Sequence, residues 1–228
     1  MSTEQINRYL DHAVLKPELT RQEAKDAIQL GIEYEVKTVC VRPCDIELAA
    51  QMCKGTETEV STVLAFPHGC TTSSVKSFEA KEYIKLGTDE IDMVVNFGFV
   101  RSGMWDEVVA DIRAVTTVAG DAGKLVKVIF ETAYLNGDEI KRTTDCAIEA
   151  KAQYVKTSTG FASEGATEAA VRAMVTAAGG RIEVKPSGGI RDRKTAEFFV
   201  SLGATRLGNG YTSTAAICEG EGSGSGAY

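Results

Sequence analysis

The feature that most narrows what this chain can fold into is a rhythm. Eight short apolar runs ("YLDHAVL", "TVCV", "VSTVLAF", "EIDMVVN", "VKVIFE", "YVKTS", "IEVKPS" and the weaker "TRLG") follow one another along the sequence. They are spaced by roughly 20 to 35 residues, the length of one strand plus the helix that returns to the next parallel strand. Eight such units in 228 residues predict a closed parallel (β/α)8 barrel, a single α/β domain, with an open doubly wound sheet as the rival. The rival would carry G-x-G-x-x-G after its first strand, and that fingerprint is missing here.

The segments between the runs have the matching punctuation. "AKDAIQLGI", "AKEYIKLGTDEIDM" and "AEFFVSLGATRLG" each show helical periodicity and then Leu-Gly, so Gly31, Gly87 and Gly203 read as helix C-caps. Thr20 with Glu23, and Asn136 with Glu139, have the spacing of capping boxes. A short N-terminal helix is expected before the first strand. No linker interrupts the pattern, which places the barrel at residues 1–217. Residues 218–228 end in "GSGSGAY" and read as a flexible tail, since a Gly/Ser run has too little to bury.

Composition removes several function classes. With 43% apolar residues the chain can bury a substantial core, while its net charge of −7 is spread without basic blocks, which argues against a nucleic-acid partner. The N-terminus has no apolar leader and no run approaches a membrane span, so a cytoplasmic protein without membrane contact is expected. Six cysteines show no C-x-x-C pair and only two histidines accompany them, which favours reduced thiols over a metal or disulfide framework.

In a barrel of this kind the chemistry sits at the C-terminal ends of the strands. Asp92 lies inside "EIDMVV", Lys156 ends "YVK" and Lys185 ends "IEVK". Side-chain alternation lets all three point into the barrel, where unpaired charges would be costly and mutual neutralisation is the economical arrangement. A lysine brought close to a second lysine and taken out of water becomes a better nucleophile near neutral pH, as a Schiff base requires. Asp92 is then either a proton-transfer partner or a structural counter-ion. Gly188 and Gly189 in "KPSGGIRD", with Gly208 and Gly210 in "RLGNG", offer backbone N–H groups where barrels often bind phosphate, and Arg191 could assist. Ser158, Thr159 and Gly160 form a polar turn directly after Lys156.

Taken in order, "DHAVLKPELT", "CVRP", "VLAFPHG", "EIDMVVNFG", "KVIFET", "YVKTSTGF" and "VKPSGGIR" resemble the deoxyribose-phosphate aldolases, cofactor-free class I aldolases, from about Tyr9 to Arg206. The resemblance implies that Lys156 forms the imine, that Asp92 and Lys185 support it, and that Asp11 joins the proton relay. It further implies substrate or phosphate contacts from Cys40, Thr157, Gly160, Gly188, Gly189, Arg191, Gly208 and Asn209. Some family members end in a tyrosine that aids proton transfer, which points to Tyr228. The expected reaction interconverts 2-deoxy-D-ribose 5-phosphate with acetaldehyde and D-glyceraldehyde 3-phosphate, within deoxyribonucleotide catabolism, with no cofactor or metal and as a homodimer. Departures are Ala13, where the family usually has Thr, and Asn209-Gly210, where it usually has hydroxyl residues. Two other readings stay open: a transaldolase-like Schiff-base lyase on the same fold, and a non-catalytic barrel that binds a sugar phosphate.

Overall fold

A computed structural model describes residues 3–220 and residue 222. Its eight strands are β1 (Leu10–Val14), β2 (Thr38–Val41), β3 (Glu59–Leu64), β4 (Glu90–Val94), β5 (Leu125–Ile129), β6 (Tyr154–Lys156), β7 (Glu183–Lys185) and β8 (Leu207–Gly210). From β1 to β7 each strand pairs in parallel with its sequence neighbours, and β1 also pairs with β8. The last gap is closed by a bridge between Ser187 and Gly208, with Gly208 N–H donating to the Pro186 carbonyl at 2.8 Å and Thr205 N–H to that of Val184 at 3.2 Å. The expected (β/α)8 barrel is therefore present.

Helices α1 (Arg21–Glu33), α2 (Ile46–Cys53), α3 (Ser73–Leu86), α4 (Phe97–Arg101), α5 (Trp105–Asp121), α6 (Gly137–Glu149), α7 (Glu168–Ala178), α8 (Arg193–Ser201) and α9 (Thr214–Glu219) connect and surround the strands. The segment before β1, Thr3–Tyr9, is 3-10 helix. None of the helices among the described residues is long and apolar enough to cross a membrane. Both capping boxes form, Thr20 with Glu23 and Asn136 with Glu139. Gly87 ends α3 in the left-handed conformation, and Gly203 follows α8 with φ of 107°.

Gly31 departs from its expected role. It lies inside α1, where an added Cβ would sit 2.7 Å from Val39 Cγ1 and 3.1 Å from His12 Cδ2. Here glycine lets a helix press against β1 and β2, whereas at Gly87 it turns the chain; the shared Leu-Gly pair hides two different reasons. The barrel also extends past residue 217, because α9 runs to Glu219 and the Cys218 carbonyl accepts from Arg193 at 3.1 Å. Tyr228 lies outside the described residues.

Strand faces divide the interior. Outward residues such as Leu10, Val39, Val60, Met93, Val128 and Val184 pack under the helices as the hydrophobic core. The inward positions carry Asp11, Thr38, Ser61, Glu90, Asp92, Lys127, Tyr154, Lys156 and Lys185, and strand register sets them side by side: Asp11 opposite Thr38, Asp92 opposite Lys127, Lys156 opposite Lys185. A barrel centre usually filled by aliphatic side chains is here a packed assembly of charges.

Candidate active site

Lys156 and Lys185 end their strands and Asp92 lies mid-strand in β4, all pointing inward as the alternation predicts, and all three are at most 1% exposed. Asp92 Oδ2 receives both amines, Lys156 Nζ at 2.8 Å and Lys185 Nζ at 2.7 Å, so the two lysines meet at one oxygen. Lys185 also donates to Asp11 Oδ2. The other Asp11 oxygen, Oδ1, accepts from Thr38 Oγ1 at 2.8 Å and Arg206 at 2.7 Å. The structure thus brings these four residues together, with supports that the sequence analysis does not name.

Those supports are Lys127, Glu90 and Arg206. Lys127 Nζ reaches three carboxylates at once: Asp92 Oδ1 at 2.7 Å, Glu90 Oε2 at 2.5 Å and Asp11 Oδ2 at 3.1 Å. Arg206 joins Asp11 to Glu90 at 2.9 and 3.1 Å and stacks over the Tyr154 ring at 5.3 Å. The signal was available, since "LVKVI" has a lysine between apolar residues on a strand, as "YVK" and "EVK" do.

The electrostatics follow from this packing. Burial alone would raise the Asp92 carboxyl, but Lys127, Lys156 and Lys185 overturn that and hold it well below the ordinary carboxylate range. Asp11 is likewise raised by burial and then driven well down by Lys127, Lys185 and Arg206. Burial would strip a proton from Lys127, yet Asp11, Asp92 and Glu90 more than offset it and keep the ammonium charged well above the lysine range. Arg206 is held charged in the same way. Burial pushes the Cys40 thiol up and Asp92 adds to this, against the three lysines; the side chain packs with Ala13, Leu15 and Val63.

The turn after Lys156 is stitched to its neighbours. Thr157 Oγ1 donates to the Ser187 carbonyl at 3.1 Å and accepts from Ser187 N–H at 3.0 Å, so its side chain joins the ends of β6 and β7. Thr159 gives its N–H to both oxygens of Glu131 at 3.3 Å and its hydroxyl to Oε2. Glu131 itself has φ of 56°, a left-handed conformation that costs energy for a residue with a side chain. Burial raises its carboxyl, with the Thr159 bonds and Lys156 opposing. This glutamate, in "KVIFET", was not foreseen as a support of the lysine loop.

Among the glycines, Gly160, Gly188 and Gly189 have φ between 81° and 86°. A Cβ on Gly165 would fall 2.4 Å from the Gly188 carbonyl oxygen, and Ala166 N–H donates to that oxygen at 3.1 Å, so the loops after β6 and β7 touch backbone to backbone. Ser158 lies beside them with a buried hydroxyl that has no hydrogen-bond partner. Gly189 and Arg191 are exposed at the rim. Gly208 and Asn209 stand differently from the expectation. The Gly208 N–H is used on Pro186 in closing the barrel, and the Asn209 side chain points outward with His12, its amide donating to Thr214 Oγ1 at 2.8 Å.

The chain is similar to known aldolases in sequence and in fold. Residues 6–219 match the family described as DeoC/LacD family aldolase. A deoxyribose-phosphate aldolase of Streptococcus suis is 44% identical over 203 residues, covering 89% of this chain and 91% of its own. That of Clostridium perfringens is 40% identical and covers 97% of each. The solved aldolase QR15 superposes with a TM-score of 0.88 at 38% identity, covering 94% of this chain and 95% of its own. The tetrameric deoxyribose phosphate aldolase of Aeropyrum pernix gives 0.88 at 25% identity, covering 96% and 91%. The chain belongs to the DeoC/LacD family of aldolases.

Proposed function

We propose that the protein is a deoxyribose-phosphate aldolase that works through a Schiff base on Lys156. The observation that carries this reading is the meeting of Lys156 and Lys185 on one oxygen of a buried Asp92, at the strand ends where barrel enzymes do their chemistry. Four cations, Lys127, Lys156, Lys185 and Arg206, face three carboxylates, Asp11, Glu90 and Asp92, so removing a single proton leaves the cluster neutral. Lys127 and Arg206 are held charged by the carboxylates around them, and a Schiff base requires the unprotonated amine to be that of Lys156.

In the synthetic direction the free Lys156 amine attacks the acetaldehyde carbonyl carbon, and water leaves to give the iminium. Its positive nitrogen draws electrons from the methyl carbon, Asp92 takes a methyl proton, and the C–H pair becomes the enamine double bond. The enamine carbon attacks the aldehyde of glyceraldehyde 3-phosphate, whose oxygen takes up a proton, and water then releases the product and Lys156. Lys185 and Asp11 pass protons into and out of this pair; a positioned acid or base contributes about 10² to 10⁴ in rate. Ser158, with its unpartnered buried hydroxyl, and the exposed backbone of Gly189 offer donors for the phosphate end. Tyr228 remains a candidate proton donor to the imine carbon. The reading carries with it small-molecule partners only, a cytoplasmic location and a place in deoxyribonucleotide breakdown.

The test is cleavage of 2-deoxyribose 5-phosphate followed by acetaldehyde release, beside a ketose phosphate donor as used by transaldolases. Release from deoxyribose 5-phosphate, absent in Lys156→Met, supports the proposal. Preference for the ketose, or undiminished release by Lys156→Met, would remove it.

A further inference from the structure

Lys127 is the one side chain among the described residues that pairs with all three carboxylates of this cluster, Asp11, Glu90 and Asp92. It meets Asp92 at the oxygen that Lys156 does not. Its third partner, Glu90, lines with Arg206 a cleft of about 330 Å³ at the opposite, N-terminal mouth of the barrel, together with Lys37, Glu59 and Lys124. Asp92 is therefore held between two sides: Oδ1 by Lys127 from the barrel interior, Oδ2 by Lys156 and Lys185 on the side of the reacting nitrogen.

We propose that Lys127 is a positioning residue for the aldol reaction, occupying Oδ1 of Asp92 so that Oδ2 alone exchanges protons with the intermediate bound to Lys156. The inference rests on the Schiff-base reading above. When Lys156 becomes an iminium it gives up most of its N–H bonds, which leaves Oδ2 with Lys185 as its one ammonium donor and a lone pair open toward the intermediate, while Oδ1 keeps Lys127. The methyl C–H bond then breaks toward Oδ2: the proton goes to that oxygen, the C–H pair forms the enamine bond, and the C=N pair returns to nitrogen. Without Lys127 either oxygen of the carboxylate could turn to the two amines, and the group would bind a proton more readily.

The charges that share this field are Asp11 from β1, Glu90 and Asp92 from β4, Lys156 from β6, Lys185 from β7 and Arg206 before β8. Cys40 on β2 feels Lys127 and Asp92, and Tyr154 lies under Arg206. Removing Lys127 subtracts a cation from beside Asp92, and removing the charge of Glu90 subtracts an anion from the far side of Lys127. The two changes must move the protonation of Asp92 in opposite directions.

The experiment measures exchange of acetaldehyde methyl protons with solvent as a function of pH in wild type, Lys127→Met and Glu90→Gln, with borohydride trapping of the imine on the same samples. The acid limb of the exchange profile should rise by about one pH unit or more in Lys127→Met, as expected for a unit charge a few ångströms away. It should fall in Glu90→Gln. A general loss of activity from disturbed packing would move neither limb. Trapping that persists in Lys127→Met with the acid limb unmoved overturns the proposal and leaves the Schiff-base reading standing, whereas no trapping in wild type overturns that reading itself. If Lys127→Met does not fold, the isosteric Glu90→Gln decides, and an acid limb that stays in place or rises there refutes the role of Lys127.

Discussion

Lowering the pH from neutral to 5 should cost this protein about 2 kcal/mol of stability through a single buried imidazole. His12 is fully enclosed between β1 and α1. Its Nε2 faces the Ala27 carbonyl at 2.8 Å and must donate there, so Nδ1 is the acceptor for the Thr214 hydroxyl at 2.7 Å. Burial lowers its pKa to about 4, against a smaller upward pull from the Ala27 bond. The folded value lies below the unfolded one, near 6.5, so below that value the unfolded chain binds a proton that the native ring refuses. The stabilisation is complete above pH 6.5 and is lost as pH falls through the window down to about 4, reaching about 3.4 kcal/mol in full at 1.36 kcal/mol per unit. For a chain of this size 2 kcal/mol corresponds to about 4 to 8 °C in Tm. Urea unfolding of wild type and His12→Gln, followed by far-ultraviolet circular dichroism across this pH range, isolates the term, because every carboxylate is common to both. The wild type should lose the additional stability and the variant should not. Parallel pH dependences in the two proteins would refute the reasoning.

Three further outcomes follow from the packing. Lys76, fully buried, donates to Asp111 Oδ2 at 2.6 Å and to the Val94 carbonyl at 2.8 Å, anchoring the end of β4; Lys76→Met should destabilise by about 3–5 kcal/mol by stranding Asp111, and adding Asp111→Leu should restore most of it in chemical denaturation. Gly31→Ala gains about 1 kcal/mol of helix propensity, yet the overlap with Val39 and His12 should cost about 1–3 kcal/mol, so a net rise in Tm would contradict the close approach described here. Tyr228→Phe should slow solvent exchange of the acetaldehyde methyl protons while leaving Tm and the yield of trapped imine unchanged; equal exchange rates would make the terminal tyrosine a bystander.

Much of the barrel was legible because parallel strands covered on both faces must be written as apolar runs, and their spacing carries the helix between them. The weak run "TRLG" still found its place, since β8 is short and its neighbours supply the pairing. Asp92, Lys156 and Lys185 were legible for the converse reason: a charge inside such a run has to be explained. Lys127 meets the same criterion at the same mid-strand position as its register partner Asp92, and the sequence reading does not name it. Arg206 and Glu90 could not be placed by pattern, as their contact joins the ends of β4 and β8 across the barrel. Gly31 and Asn209 depended on how closely neighbouring layers approach and on which face a residue takes, and neither is written in a local motif.

The central claim is that one lysine among the three at the barrel centre carries the substrate. Borohydride reduction in the presence of acetaldehyde, followed by peptide mapping, tests it directly. The account predicts an ethyl adduct confined to Lys156, in the peptide that continues into Thr157, Ser158 and Thr159; an adduct on Lys185 or Lys127 with Lys156 unmodified, or no adduct at all, would contradict it.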